Sequence, residues 1–275
     1  MKRGLLLAVL CLMGIGVRAQ FSFPTMGAGA GMGGCFHPSD PWSQVDAVAG
    51  MAFAKQQEVG VGAACHQYMP SMNDVALVYL AGLPGRVGFG LQFNSFGAAQ
   101  YQEQQASLGC GIEVARGVAV GVQLSYLRSA TNDSYYPSVD FLSCALGLQW
   151  RISQGMALYL LARNPYSFSL GQDLMMPPAH YAAGLSYYLL PDFLTTLGVE
   201  KGMNSPMRLR MGLEYAFSLG EKENQVLFAR TGVATAPFIY TAGLGYRNSH
   251  LGMDVAMQSH QVLGISPQLS LSYRF

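Results

Sequence analysis

Residues 266–275 read SPQLSLSYRF. Side chains of an extended chain alternate between two faces. Leu269, Leu271, Tyr273 and Phe275 therefore share one face, and Gln268, Ser270, Ser272 and Arg274 the other. A ten-residue segment with an apolar face opposite a small or polar one is the pattern of a strand set between lipid and a lumen. The same alternation recurs upstream. In 85–97, Val87, Phe89, Leu91 and Phe93 alternate with Gly88, Gly90, Gln92 and Asn94. In 101–113, Glu103, Gln105 and Ser107 oppose Leu108, Cys110 and Ile112. In 207–217, Arg208, Arg210, Gly212 and Glu214 face away from Leu209, Met211, Leu213, Tyr215 and Phe217.

Marking such runs between turn signals gives 57–67, 73–82, 85–97, 101–113, 117–130, 138–151, 155–163, 179–189, 193–201, 207–217, 225–234, 238–247, 250–259 and 266–275. Short separators such as Pro84-Gly85, Arg116-Gly117 and Pro191-Asp192 alternate with longer ones at 131–137, 164–178 and 218–224. The expected fold is all-β: a transmembrane antiparallel β-barrel of about fourteen strands over residues 57–275. Closure leaves no exposed sheet edge to protect.

Composition excludes the competing classes. The chain has 275 residues, 16 Lys+Arg against 15 Asp+Glu, and 51% hydrophobic residues. Charged residues are 11% of the chain, against about 25% in soluble domains. That is too few to cover a water-facing surface of this size. Disorder is excluded by the apolar content, and a nucleic-acid partner by the absence of a basic excess. Glu200, Arg208, Arg210 and Glu214 fall on the small or polar faces of their strands, and Glu200 is expected opposite Arg208 across the turn at 202–206. Arg230 shares its face with Val226 and Phe228. A basic side chain facing mid-bilayer lipid costs about 2–4 kcal/mol, so all five charges are placed in the lumen.

Residues 1–20, MKRGLLLAVLCLMGIGVRAQ, carry a basic start, an apolar run and a small-residue cleavage pattern. This is the form of a secretory signal peptide, residues 1–19, cut after Ala19. The expected location is the outer membrane, with outer-membrane lipid and the barrel assembly machinery as partners. The alternating row Leu269, Leu271, Tyr273 and Phe275 is the candidate assembly signal. Beyond the leader, Cys35, Cys65, Cys110 and Cys144 are an even set, compatible with disulfides, but widely spread. They read as small buried hydrophobes, with their disulfide status open.

Residues 20–56 do not alternate. They are small and Gly-rich, yet carry Phe21, Phe23, Trp42 and Phe53, which need burial. An N-terminal plug inside the lumen provides it, with Asp40 or Asp46 meeting Arg208, Arg210 or Arg230. The frame Gly29, Gly31, Gly34 fits a dinucleotide fingerprint only formally, because no strand precedes it. No nucleophile elbow, HExxH or P-loop occurs, and His66, His180, His250 and His260 are scattered. His260 and Asp254 share a strand face without a nucleophile, so no enzyme, metal or cofactor is expected.

The stretch GAGMGGCFHPSDPWSQVDAVAGMA, residues 29–52, resembles the N-terminal signature of the FadL-like outer-membrane barrels, most of all the PorV/PorQ-like branch associated with type IX secretion. Gly31, Gly33, Gly34, Asp40, Trp42, Ala49 and Gly50 carry the match, and Asp46-Ala47-Val48 stands where the family has Asn-Pro. The resemblance runs from about Gly27 to Phe275. It implies a fourteen-stranded barrel with a plug that binds or passes a hydrophobic small molecule. Its alternative is a non-conducting barrel that docks secretion-system or envelope proteins.

Overall fold

The computed structural model describes residues 25–69, 72–98, 100–132, 138–171, 176–203, 205–219 and 225–275. The expected signal peptide, Phe21 and Phe23 lie outside these residues. Fourteen strands follow one another: β1 Gln57–Cys65, β2 Asn73–Leu83, β3 Val87–Ala98, β4 Tyr101–Ala115, β5 Val118–Thr131, β6 Val139–Ser153, β7 Met156–Ser169, β8 His180–Leu190, β9 Phe193–Gly202, β10 Arg208–Ser218, β11 Val226–Ala234, β12 Ile239–Arg247, β13 Leu251–His260 and β14 Gly264–Arg274. Each pairs antiparallel with its chain neighbours. β14 returns to β1 in the register Glu58↔Arg274 through Ala64↔Gln268, so the sheet closes into a barrel. Among the described residues no helix is long and apolar enough to cross a membrane; the strands cross it.

The alternation read from the sequence is the alternation of the wall. Leu108, Ile112, Leu124, Leu146, Leu244, Leu269, Leu271 and Tyr273 stand exposed on the outer face, while Gln92, Asn94, Gln105, Ser107, Gln123, Gln268 and Ser270 are buried inside. Phe193, Tyr215 and Phe217 form an outer aromatic cluster near the β8–β9 turn, with rings 4.6 and 6.4 Å apart. Turns at 84–86, 116–117, 154–155 and 191–192 are short and share one end of the barrel with Gln57 and Phe275. The connections at 66–72, 132–138 and 170–179 join strands at the other end and are longer; the β10–β11 connection, 219–225, is also longer but joins strands at the short-turn end. Short turns mark the periplasmic end of such barrels.

Two strand readings change. β7 runs to Ser169, not 163, and carries Pro165. The β6–β7 register jumps from Ala145↔Arg163 to Ser143↔Ser167, which leaves residues 164–166 outside the ladder. Proline is tolerated there because no ladder hydrogen bond needs its missing N–H. Side chains bridge the gap: the Ser143 hydroxyl lies 2.7 Å from Asn164 Oδ1 and 3.0 Å from Ser167 Oγ. β14 begins at Gly264 and accommodates Pro267 opposite Met257. The four cysteines among the described residues are free thiols, and the burial expected of them holds for Cys35 alone. Cys110 is exposed on the outer face, because its parity places it with Leu108 and Ile112, where lipid rather than protein covers it.

Candidate functional site

Residues 25–56 lie within the barrel. Their ordered parts are a single helical turn, α1 (Ala28–Gly31), a short helix, α2 (Pro41–Asp46), and a 3₁₀ turn over Ala49–Phe53. Asp40 caps α2: its carboxylate accepts from the Ser43 amide at 3.2 Å, and Pro41 occupies the first helical position. Both are standard helix-start chemistry. Six residues cannot hold a helix unaided, so the segment takes its shape from the wall around it.

Contact with the wall is made backbone to backbone along two sets of inward-facing glycines. A Cβ added at Gly111 or Gly121 would come within 2.8 Å of backbone atoms of Ala52 or Ala49, and Gly88, Gly82 and Gly147 are closed in the same way by Met51, Ala54 and Ala47. On the opposite wall, Gly212 and Gly232 are covered by Met32 and Gly33, while Gly31 lies against Gly243. Gly33 and Gly34 adopt φ of 69° and 77°, a left-handed conformation that glycine enters without strain.

The two contact zones differ in chemistry. Toward β1, β2 and β6 the seam is apolar: Met26, Trp42, Val45, Val48 and Met51 pack on Ala64, Ala76, Val78, Leu80 and Ala145. Ala49 and Ala52 pack on Ala119 of β5. Toward β8–β13 the segment is held by polar groups. Thr241 Oγ1 accepts from the Gly33 amide at 2.8 Å and donates to the Gly31 carbonyl at 2.9 Å. Arg210 donates to the Gly34 carbonyl at 2.6 Å, and Ser186 to the Phe36 carbonyl at 3.3 Å. His37 Nε2 lies 3.1 Å from Glu214, whose other oxygen accepts from Arg230 Nε at 2.6 Å. Arg230 also bonds Asp254 and lies over the Phe228 ring at 4.9 Å. All four charged or ionisable groups of this chain are buried, so each depends on its partners for the solvation it has lost.

Glu200, Arg208 and Arg210 are half-buried and Glu214 and Arg230 buried, with partners that differ in part from those expected. Glu200 stands opposite Arg208 in the ladder, yet its carboxylate bonds Arg210, one pleat further along. Asp40 lies 3.9 Å from Arg247, and Asp46 lies 3.7 Å from Arg163, neither of them the partners expected. Burial, and next the charge of Asp254, push the Asp40 carboxyl up to about 6. Trp42 closes over Gly60, and Gly50 is wedged between Gln44 and Gln149. Leu269, Leu271, Tyr273 and Phe275 are exposed on the outer face. His37, Thr241, Arg247 and Arg163 were not singled out by sequence, and Asp254 was noted only for sharing a strand face with His260. Asp254 had the right parity to be found; His37 has no periodic context to reveal it.

Below the segment, at the short-turn end, lies a cavity of about 940 Å³. Phe53, Ala54, Lys55 and Gln44 form its roof, and Leu80, Arg151, Ala157, Tyr188 and Arg274 its walls.

No family model matches the chain, and no curated protein matches it. Solved structures do. The Pseudomonas putida toluene transporter TodX superposes with a TM-score of 0.65 at 11% identity, covering 93% of this chain and 99% of that one. A Pseudomonas aeruginosa FadL homologue gives 0.64 at 13% identity, covering 94% and 99%. The CymD monoaromatic hydrocarbon channel gives 0.62 at 12% identity, covering 92% and 99%. The chain thus has the closed fourteen-stranded barrel fold of these channels.

Proposed function

We propose that the protein is an outer-membrane barrel that passes a hydrophobic small molecule, with residues 25–56 as the plug that gates it. One observation carries the reading: the plug is hinged on one side and sealed on the other. On the β8–β13 side, directional hydrogen bonds and buried ion pairs fix it. On the β1–β6 side, methionine, valine and alanine side chains meet glycine and alanine. Apart from the hydrogen bond that Gln92 of β3 donates to Asp46 at 3.1 Å, an apolar guest replaces such contacts without leaving a polar group unpaired, and methionine repacks readily around it. A polar guest has no equivalent route through that seam. The printed names of the structural neighbours, a toluene transporter and a monoaromatic hydrocarbon channel, support this cargo class. The signature at Gly31, Gly33, Gly34, Asp40 and Trp42 supports placement among FadL-like barrels, on the PorV/PorQ-like branch. Not being an enzyme and entering the outer membrane after cleavage near Ala19 belong to the same proposal.

The test is entry of N-phenyl-1-naphthylamine into intact cells whose outer leaflet excludes it. Expression of the protein should raise the initial rate several-fold, and deletion of residues 27–53 should raise it further while the barrel remains heat-modifiable on a gel. Equal rates with and without the protein would overturn the proposal.

A further inference from the structure

The cavity below the plug has a charge imbalance that passage of a neutral molecule does not require. Lys55, Arg116, Arg151 and Arg274 line it, with Glu58 as the one carboxylate among the lining residues. Glu58 is engaged by Arg274. Glu113, next to the 116–117 turn, accepts from the Gly117 amide at 2.7 Å and lies 3.8 Å from Arg86. Among the described residues, Lys55, Arg116 and Arg151 then have no carboxylate within ion-pair distance. Arg151 is held in place by the Phe53 ring, 3.8 Å beneath its guanidinium carbon. The remaining lining mixes polar side chains, among them Gln44, Gln56, Gln154 and Ser186, with apolar and aromatic ones, among them Phe53, Leu80, Ala157 and Tyr188.

Cations gathered at a partly enclosed mouth, here exposed Lys55 and Arg116 with half-buried Arg151, raise the local concentration of anions. A guanidinium fixed over an aromatic ring presents its donor edge to an oxyanion, while ring and aliphatic walls cover an apolar body. From this juxtaposition we infer that the cavity is a binding site for a compact organic anion: an aromatic or alicyclic ring bearing a carboxylate or sulfonate. The site rests on the barrel reading and adjoins the seam through which the proposed cargo passes, sharing Leu80 and Phe53 with it. Phe53 and Lys55 belong to the plug, Arg116 and Arg151 to the wall. An anion held between them ties the 3₁₀ turn to the barrel and favours the seated plug from the periplasmic side.

The experiment is calorimetry on the full-length folded protein in zwitterionic nanodiscs, with naphthalene-2-sulfonate and its neutral counterpart naphthalene-2-sulfonamide. The sulfonate should bind at least tenfold more tightly in low salt, and the preference should fall below twofold in 0.5 M salt. The double variant Lys55→Gln/Arg151→Gln should lose the preference. Lys55→Gln/Arg116→Gln, which leaves the Arg151–Phe53 stack intact, should reduce it at least threefold. In the wild-type protein the sulfonate, and not the sulfonamide, should slow amide exchange over residues 49–53. Equal affinities, a preference that survives both variants, or binding of a polyglutamate peptide without binding of the sulfonate would each overturn the inference. Entry of the neutral naphthylamine is read separately: a normal entry rate with no sulfonate preference removes this site alone, and the reverse result removes the passage reading alone.

Discussion

Thr241→Val removes one hydroxyl at nearly constant volume, and that hydroxyl carries two hydrogen bonds between plug and wall. With valine in place, the Gly33 amide and the Gly31 carbonyl, both on buried residues, lose their partner at 2.8 and 2.9 Å. A buried polar group left unpaired costs about 1–3 kcal/mol. The two together come to about 2–4 kcal/mol after partial relaxation, a rise of roughly 30- to 1,000-fold in the unseated population. Cys35 supplies the reporter. It is 2% exposed beside Met32 and Leu194, and burial pushes its thiol pKa up, so it is unreactive while the plug is seated. In a background with Cys65→Ser, Cys110→Ala and Cys144→Ser, the rate of Cys35 modification by a water-soluble maleimide measures unseating. Thr241→Val should accelerate it by at least 30-fold, and Thr241→Ser by less than threefold. A Thr241→Val rate within twofold of the parent would refute the hinge.

Other consequences follow from the same contacts. Arg230→Met leaves Glu214 and Asp254 buried without their shared cation; at about 3–5 kcal/mol, the heat-modifiable fraction should drop sharply, and Glu214→Gln/Asp254→Asn in the same chain should restore part of it. Gly147→Leu places a side chain where the Ala47 carbonyl lies, so Cys35 labelling should rise while the barrel still assembles. Asp40 has its carboxyl raised by burial to about 6, above the value it has in an unfolded chain, so seating favours its protonated form. This contribution strengthens as pH falls from 7 through 6 toward 4, and is weakest above pH 7. Amide exchange over residues 41–46, corrected for intrinsic rate, should therefore be slower at pH 5.5 than at pH 7.5, and Asp40→Asn should flatten the difference.

The barrel was legible because its physics is periodic. A lipid-facing wall needs Leu108, Leu124 and Leu271 at every second position, and a lumen needs Gln105, Ser125 and Ser270 between them. Counting turns between such rows yields the strand number without knowledge of any contact. β7 was cut short because Pro165 is an ordinary stop signal, and only the bulge against β6 explains why the strand continues past it. Within the lumen, parity told which charges face inward but not which of them meet. Glu200 and Arg208 stand opposite each other, yet Arg210 reaches further and takes the carboxylate. Plug contacts such as His37 with Glu214 join residues 177 apart in sequence, and no local pattern encodes them. The inward glycines were visible as small residues in 85–97; their role as seats for a second backbone needs that backbone in place.

The gate itself can be tested by fixing one side of the plug at a time, with other native cysteines replaced. Ala52 and Ala119 pack together across the apolar seam, so Ala52→Cys/Ala119→Cys is a reversible lock on that side. Cys35 packs with Leu194 on β9, two residues from Thr196, so Thr196→Cys paired with Cys35 locks the hinge side. Naphthylamine entry into intact cells is then measured under oxidising conditions and again after reduction. If apolar cargo parts the seam, the oxidised seam lock abolishes entry and reduction restores it, while the oxidised hinge lock leaves at least half the rate. Undiminished entry through the oxidised seam lock would contradict the gate.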